Sequence, residues 1–589
     1  MLLILGLVPL VGSLVVFALP RGRDLLAKQV ALLFSLATLA ITIGLCVAFD
    51  DNSSDRFQYV TSYEWIRSFG VHFSLGADGI ALVLIALVAV LVPAVVIASW
   101  SERDRAVDAE APATAAAAVR AGGTNAVATR AAGRSATTGA TPATAVLDRP
   151  APGGDLDRPR DDDDEDILVA SDTVLVTDED TTPRAPGTRR GQPKTFFALL
   201  LLLEVMMIGV FAATDVFLFY VFFEAMLIPM YFLIGSFGGP RRQYAAVKFF
   251  LYSLLGGLIM LAAVIGLYFA TSTRTFDFAT LVGGSIDPGL QKWLFLGFFV
   301  AFAIKAPLVP FHTWLPDAGA EAPVGGAALL VGVLDKVGTF GFIRYCLPLF
   351  PDASRFFAPL VLVLSAIGIL YAALLAMGQK DMKRLVAYTS VAHFGFIGLG
   401  IFAFTTQSLS GATFYMVNHG LSTGALFLVI GMVIARGGSR MLADYGGIQK
   451  VAPILGGVFL VTGLSSLALP GMSTFVSEFL VLLGTYARHP VYAIIGTAGI
   501  ILAALYILLV IQRVVQGPVR GLAAGGMRDM VGREVLAVAP LLALILFLGV
   551  YPKPVLDMIN PAVTRTMQDA GYTDPAPDVP AGAQSGGGR

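Results

Sequence analysis

Fourteen apolar runs, each near the length that crosses a bilayer, decide what this chain can become. A hydrocarbon core of about 30 Å takes roughly 20 helical residues, and inside it every backbone polar group must be bonded within the protein. The runs are 2–19, 29–49, 77–100, 195–213, 215–236, 243–270, 291–317, 325–350, 356–378, 381–405, 408–435, 451–484, 489–513 and 534–551. Of the 589 residues 56% are hydrophobic and only 14% charged, against about 25% charged in soluble domains. The expected fold is therefore an all-α polytopic membrane protein of about 14 transmembrane helices. Lipids are the expected surroundings, and nothing in a net charge of −1 points to nucleic acid. The N-terminus begins apolar at Leu2 with no basic segment before it, and reads as a first retained span.

Loop charges set the expected orientation. Basic residues gather at 21–28, 240–243, 379–384, 435–440 and 512–521, whereas alternate loops such as DDNSSD (50–55) and FPDAS (350–354) are acidic or nearly neutral. With fourteen spans every basic loop falls on one side, which the positive-inside tendency makes cytoplasmic, with both termini outside. Three spans fill 1–100, five fill 195–350, five more fill 351–515, and one lies within 516–589. The stretch 101–194 is rich in Ala, Thr, Arg, Pro and Asp and includes DDDDED (161–166). It lacks the apolar surface to fold alone and reads as a solvated cytoplasmic tether, with ILVASDTVLV (167–176) as a short candidate strand. The tail 552–589, rich in Pro, Gly and Ala, reads as disordered too.

Four charged residues interrupt the middle of these runs: Glu224, Lys305, Lys336 and Glu478. A charge in hydrocarbon costs at least a few kcal/mol and persists where it pairs, meets water or does work. Only ten lysines are present, and three of them, Lys248, Lys305 and Lys336, fall inside apolar runs. Burial can make a lysine titrate near neutrality, whereas a guanidinium stays protonated. A snorkelling or static pair suits Lys248, near a span end, better than the other two. The two cysteines, Cys46 and Cys346, form no ligand pattern, and neither a phosphate loop nor a dinucleotide fingerprint is present. Electron chemistry belongs elsewhere.

A weak internal repeat accompanies the charges. KFFLYS (248–253) aligns with TFYMVN (413–418), and LAAVIG (261–266) with LFLVIG (426–431), both at an offset of 165. An odd number of spans separates the copies, so the two five-helix units are expected to be inverted, as in many ion transporters. Pro307 and Pro310 follow Lys305, and Pro470 with Gly471 precedes Glu478. Each repeat should thus contain a broken helix, and broken backbone at that depth survives only inside protein or beside a water-filled cavity.

Such groups suit proton transfer. Glu224 with Lys305 is a candidate switch pair, holding charge together and neutralising apart, with Lys336 as the next acceptor. In the second repeat the series is His393, His419 and Glu478, with Tyr388, Thr389 and Ser390 offering hydroxyls.

At these residues the chain resembles a known family, the antiporter-like membrane subunits of respiratory complex I (type-1 NADH:quinone oxidoreductase). The motifs include LLLLEVMM (200–207), VFLFYVFFEAMLIPMYFLIG (216–235), AIKAPLVPFHTWLPDA (303–318), LDKVGTFGFIRY (334–345), MKRLVAYTSVAHFGFI (382–397), FYMVNHGLSTGALF (414–427) and SLALPGMSTFVSEFLVL (466–482). The resemblance covers most of 1–100 and 195–555. It implies proton pumping through Glu224, Lys305, Lys336 and Glu478, with Lys248, His312, His393, His419, Glu204 and Asp335 as supporting relay residues. It also implies a bacterial cytoplasmic (inner) membrane location and partners among the other membrane and peripheral subunits, especially the L- and N-type homologues. FMN, iron–sulfur clusters and quinone would sit in or between those subunits, with no cofactor on this chain. Glu478 stands where the L and N types have lysine, so the pattern is similar to the third, M type. One departure is DAGAEAP (317–323), where the family usually has DAHAEAP. The competing readings are a subunit of a multicomponent sodium/proton antiporter and one of an energy-converting hydrogenase.

Overall fold

The computed structural model describes residues 1–101 and 192–576, and the tether with its acidic run and candidate strand lies outside them as far as residue 191. Among the described residues eleven helices are long and apolar enough to cross a membrane. Leu2–Ala18 adds a shorter apolar one. Two further passes are each built from two helices meeting at a break: Pro288–Lys305 with Trp314–Glu321, and Pro453–Ser466 with Ser473–Tyr486. Eleven, one and two account for the fourteen expected spans.

The repeat is plain in the way the helices begin and end. Pro288 and Pro453 open the broken passes 165 positions apart, each at the first turn where a missing N–H costs nothing. Asp215 caps Val216–Ala225 through the N–H groups of Phe217 and Leu218, and Asp381 caps Met382–Phe402 through those of Lys383 and Arg384. The last pass of each unit, Val324–Leu349 and Pro490–Val515, contains a turn of π-helix near its end, Phe342–Cys346 and Ile511–Val515. Five passes separate the corresponding members, an odd number, so the units run in opposite senses.

Two segments outside the spans differ from the sequence expectation. The loop after the second helix forms an antiparallel hairpin, Gln58–Ile66 with Val71–Ala77, pairing Tyr63 with Phe73. Gly70, at φ 62°, lies in the turn between them, a conformation glycine adopts without strain. The tail expected to be disordered from 552 instead opens with an amphipathic helix, Lys553–Asp569. Its buried Ile559, Val563 and Met567 recur every four residues, the stripe of one helix face. That face packs on the helices Gly79–Ala98 and Thr406–Gly437. The stripe is narrow, and Pro561 with four charged residues hides it in the sequence.

These segments tie loops of one membrane side together. Arg56 in the hairpin loop grips Asp569 through both Nη atoms, at 2.7 and 3.1 Å. Tyr572 stacks on Phe404 with ring centres 3.9 Å apart, and Arg355 and Arg488 bond backbone carbonyls at Ala570, Gly571 and Thr573. The opposite loops are tied by Arg436 to Glu534 and by Arg440 to both Glu321 and Asp381. Each group draws on loops that fourteen crossings place on a common side.

Candidate functional site: a buried line of titratable side chains

Glu224 sits where its pass bends. Val216–Ala225 gives way to Leu227–Phe237 at Met226, and Pro229 has no N–H to offer the carbonyl of Ala225 four residues back. The carboxyl lies against Gly257 of the Arg242–Ala270 helix, with Oε1 buried and without a hydrogen-bond partner among the described residues. Lys305 is the last residue of its half-helix, where the negative end of the helix dipole favours an ammonium. Its Nζ lies 4.6 Å from the ring centre of Phe223 and 5.9 Å from that of Phe249. Trp314 Nε1 donates to the carbonyl of Ile304 at 2.8 Å, covering a group left free by the break. Phe223, the ring nearest Lys305 Nζ, is the residue before Glu224, yet Nζ makes no hydrogen bond among the described residues. The expected pair is adjacent and not closed.

Lys336 is held far more tightly. Its pass contains a π-turn, Leu330–Leu334, directly before it, an irregularity common at functional sites. The fully buried Nζ donates to the carbonyl of Val331 at 2.5 Å, to Asp335 Oδ1 at 3.0 Å and to His419 Nδ1 at 2.7 Å. An ammonium can only donate, so Nδ1 accepts and a neutral His419 carries its proton on Nε2. The segments bearing Lys305 and Lys336 meet backbone to backbone at Gly338: a Cβ there would stand 2.6 Å from the nitrogen of Ala306.

From His419 the line continues through the second repeat. The rings of His393 and His419 are 5.2 Å apart. His393 Nδ1 meets the hydroxyl of Tyr415, and that hydroxyl donates to Glu478 Oε1. His393 Nδ1 is itself 3.7 Å from Glu478 Oε1. Beside them Asn418 bonds Ser477 Oγ at 2.6 Å and the carbonyl of Ser473 at 2.9 Å, fixing the second half of the broken helix on Thr406–Gly437. Lys336, His419, His393, Tyr415 and Glu478 thus form one buried sequence of proton-carrying groups. Between His419 and His393, and across the gap to Lys305 and Glu224, water or a side-chain rotation is required.

Several expected members stand elsewhere. Lys248 is paired with Asp317 at 2.7 Å, and Asp317 also receives Arg384 at 2.8 Å. His312 packs edge-on against Tyr371. Glu204 is fully buried on Pro193–Ala212 with neither oxygen bonded among the described residues. Of the three hydroxyls expected after Lys383, Thr389 turns back to the carbonyl of Val386 and Tyr388 faces Arg384; Ser390 reaches Asp335 Oδ2 at 3.5 Å. Tyr415 takes the role expected of them. It precedes His419 by four residues on the same helix, and that spacing was the available signal.

Two inverted five-helix units, each with a broken helix, and a buried lysine–histidine–glutamate line between them define an antiporter-like proton-translocating membrane subunit. A family model described as "NADH:quinone oxidoreductase/Mrp antiporter, TM" matches residues 213–504. The NADH-quinone oxidoreductase subunit M of Mycobacterium tuberculosis (strain CDC 1551 / Oshkosh) is 49% identical over 588 residues, 98% of this chain and 95% of that protein. A chain in the structure of respiratory complex I from Thermus thermophilus with bound NADH superposes with a TM-score of 0.76 at 27% identity, covering 97% of this chain and 100% of that one. A chain of the Mrp complex from Dietzia sp. DQ12-45-1b shares the fold, with a TM-score of 0.73 at 18% identity over 96% of this chain and 98% of its own length. The chain belongs to the NADH-quinone oxidoreductase subunit M family.

Proposed function

We propose that this chain is a proton-translocating membrane subunit of an NADH:quinone oxidoreductase, working beside homologous L- and N-type subunits in a bacterial cytoplasmic membrane. Electron transfer from NADH to quinone takes place on other subunits, which carry the cofactors. The observation that carries the reading is the buried sequence from Lys336 through His419, His393 and Tyr415 to Glu478, hydrogen-bonded at every link except that between His419 and His393, whose rings are in contact. A proton loaded on Lys305 is held or released according to the charge on Glu224, passes to Lys336, and is relayed to Glu478 on the half-helix that leads to the opposite face. The basic loops face the cytoplasm, so delivery is outward. Against a sodium/proton antiporter stand the subunit M relatives over 98% of the chain, since the family model spans both classes and the antiporter structure is alike in fold.

The test is Glu224→Gln, which keeps size and hydrogen bonding but cannot ionise. In membrane vesicles, NADH-driven acidification and quinone reduction should fall strongly while NADH:ferricyanide reductase, a measure of assembled complex, stays normal. Glu224→Asp should retain part of the activity. A Gln variant that pumps at the normal rate would remove the switch.

A further inference from the structure

We infer that Gly257 is a positioning residue for Glu224: the absence of its side chain creates the notch in which the carboxyl rests, and so sets the distance across which Glu224 acts on Lys305. The inference rests on the proposed switch and adds to it a residue that touches neither the proton nor the lysine.

Glycine in the interior of Arg242–Ala270 is unfavourable for the helix relative to alanine, so its presence needs a reason. Backbone conformation is not that reason, because Gly257 is absent from the glycines with positive φ. Space is. A Cβ built on Gly257 would stand 1.7 Å from Glu224 Oε1, 2.4 Å from Cδ and 2.9 Å from Oε2, and these carboxyl atoms are its three nearest neighbours. No backbone is among them. The neighbouring Gly256 serves a different surface, with a Cβ there 3.1 Å from the Cα of Ala301 and 3.0 Å from Ile304 Cδ1 on the half-helix that ends at Lys305. The two glycines therefore bring Glu224 and the Lys305 helix onto one short stretch of a single helix, one on each side.

The chemical identity of the obstructed group decides what a substitution does. A methyl group at 257 meets the far end of a flexible side chain, which can swing away without moving a helix. Relief of the contact needs a shift of the carboxyl of about 1.5–2 Å, to reach ordinary non-bonded separation. Stability should be little affected. The electrostatic influence of the carboxyl on Lys305 depends on separation, and a misplacement of about 1 Å in a reacting constellation can lower a rate by about 100-fold. Gly257→Ala is thus expected to leave the complex assembled and to act on Glu224 alone.

The experiment compares Gly257→Ala, Glu224→Asp, the double variant and Gly266→Ala in the intact complex, in inside-out membrane vesicles. Gly266 lies on the same helix, and a Cβ there meets only Leu294 Cδ2, at 2.9 Å. Measured for each are NADH-driven acidification, quinone reduction across a range of pH, and NADH:ferricyanide reductase as the gauge of assembly. Gly257→Ala should assemble, pump about tenfold more slowly or worse, and show a displaced pH profile. Gly266→Ala should match the parent. Aspartate draws the carboxyl back by one methylene, so the double variant should perform as well as Glu224→Asp alone. If Gly257→Ala fails to assemble, restoration of assembly by Glu224→Asp supports the notch, and failure to restore it overturns the notch. Normal pumping by Gly257→Ala, or a double variant that combines both losses, also overturns it. The proposed switch is judged separately, by Glu224→Gln: an impaired Gln variant beside a normal Gly257→Ala leaves the switch standing and removes only the role of Gly257.

Discussion

The hydroxyl of Tyr415 donates to Oε1 of Glu478 and meets Nδ1 of His393 on its other side. One phenol therefore joins the histidines of the first-to-second-repeat line to the carboxylate on the second broken helix. Because the phenol has a single proton to give, and gives it to the carboxylate, Nδ1 of His393 must donate to the phenol oxygen in this arrangement. The hydroxyl can pass a proton on by accepting one and releasing another.

Tyr415→Phe removes that oxygen and keeps the ring, which also packs against His419 and Phe396. The expected outcome is a complex that assembles normally and pumps about 100-fold more slowly or worse, in the range lost with a positioned acid–base group. Vesicle acidification normalised to NADH:ferricyanide reductase measures it. Undiminished pumping would mean that the 3.7 Å approach of His393 to Glu478 suffices without the phenol.

What the sequence discloses follows the energetic penalties. Lys305, Lys336 and Glu478 were legible because a charge in an apolar run has no cheap explanation. The breaks after Lys305 and before Glu478 were legible because proline and glycine mark them. Tyr415 is far less legible: a tyrosine among lipid-facing and core aromatics carries no penalty, and only its four-residue spacing from His419 distinguishes it. The Gly257 notch could not be read at all, since the pattern of one helix does not say which neighbour faces it. Asp335 adjoins Lys336 in sequence, but successive helical side chains do not ordinarily face each other, so its bond to that lysine is not legible there. Lys553–Asp569 is hidden because a stripe of three aliphatic side chains is too weak a signal beside a proline.

A second prediction concerns the loop-ward end of the second broken helix. Pro453–Ser466 has no capping side chain of its own, and Asp529 supplies one from a distant loop by accepting the N–H groups of Ile454 and Leu455, each at 2.9 Å. Burial pushes the Asp529 carboxyl up, but these bonds, that of Met530 and the charge of Arg436 outweigh it, so it lies below the usual carboxylate range. A lowered folded value means that the stabilisation is complete above the unfolded pKa, about 3.9, and disappears as pH falls through the folded value. Asp529→Ala should cost about 1 kcal/mol, the worth of a cap. It should lower the half-inactivation temperature of the detergent-purified complex by the same amount at every pH from 5 to 8, with the gap to the parent closing below about pH 4. A gap that changes between pH 5 and 8 would show that another group is responsible.

The last prediction separates titration from mere charge at Glu478. This carboxyl is buried, receives the Tyr415 hydroxyl and lies beside His393, at the far end of the line from Lys336. If it delivers the proton, it must ionise and re-protonate in each cycle. Glu478→Gln preserves volume and can still accept from Tyr415, yet cannot titrate, so pumping should fall sharply in an assembled complex. Glu478→Asp keeps the acid with a shorter reach and should retain part of the rate. Glu478→Lys tests the sign of the charge. The family resemblance puts lysine at this position in the L- and N-type homologues, and burial can bring an ammonium into a titratable range. Here it would face a phenol that must reverse its hydrogen bond, because an ammonium donates and cannot accept. His393 would then have to leave Nδ1 unprotonated or turn away. Partial pumping is therefore expected, above that of the Gln variant and below the parent. Full activity in the Gln variant would move the delivering group to His419, whose Nε2 makes no hydrogen bond among the described residues.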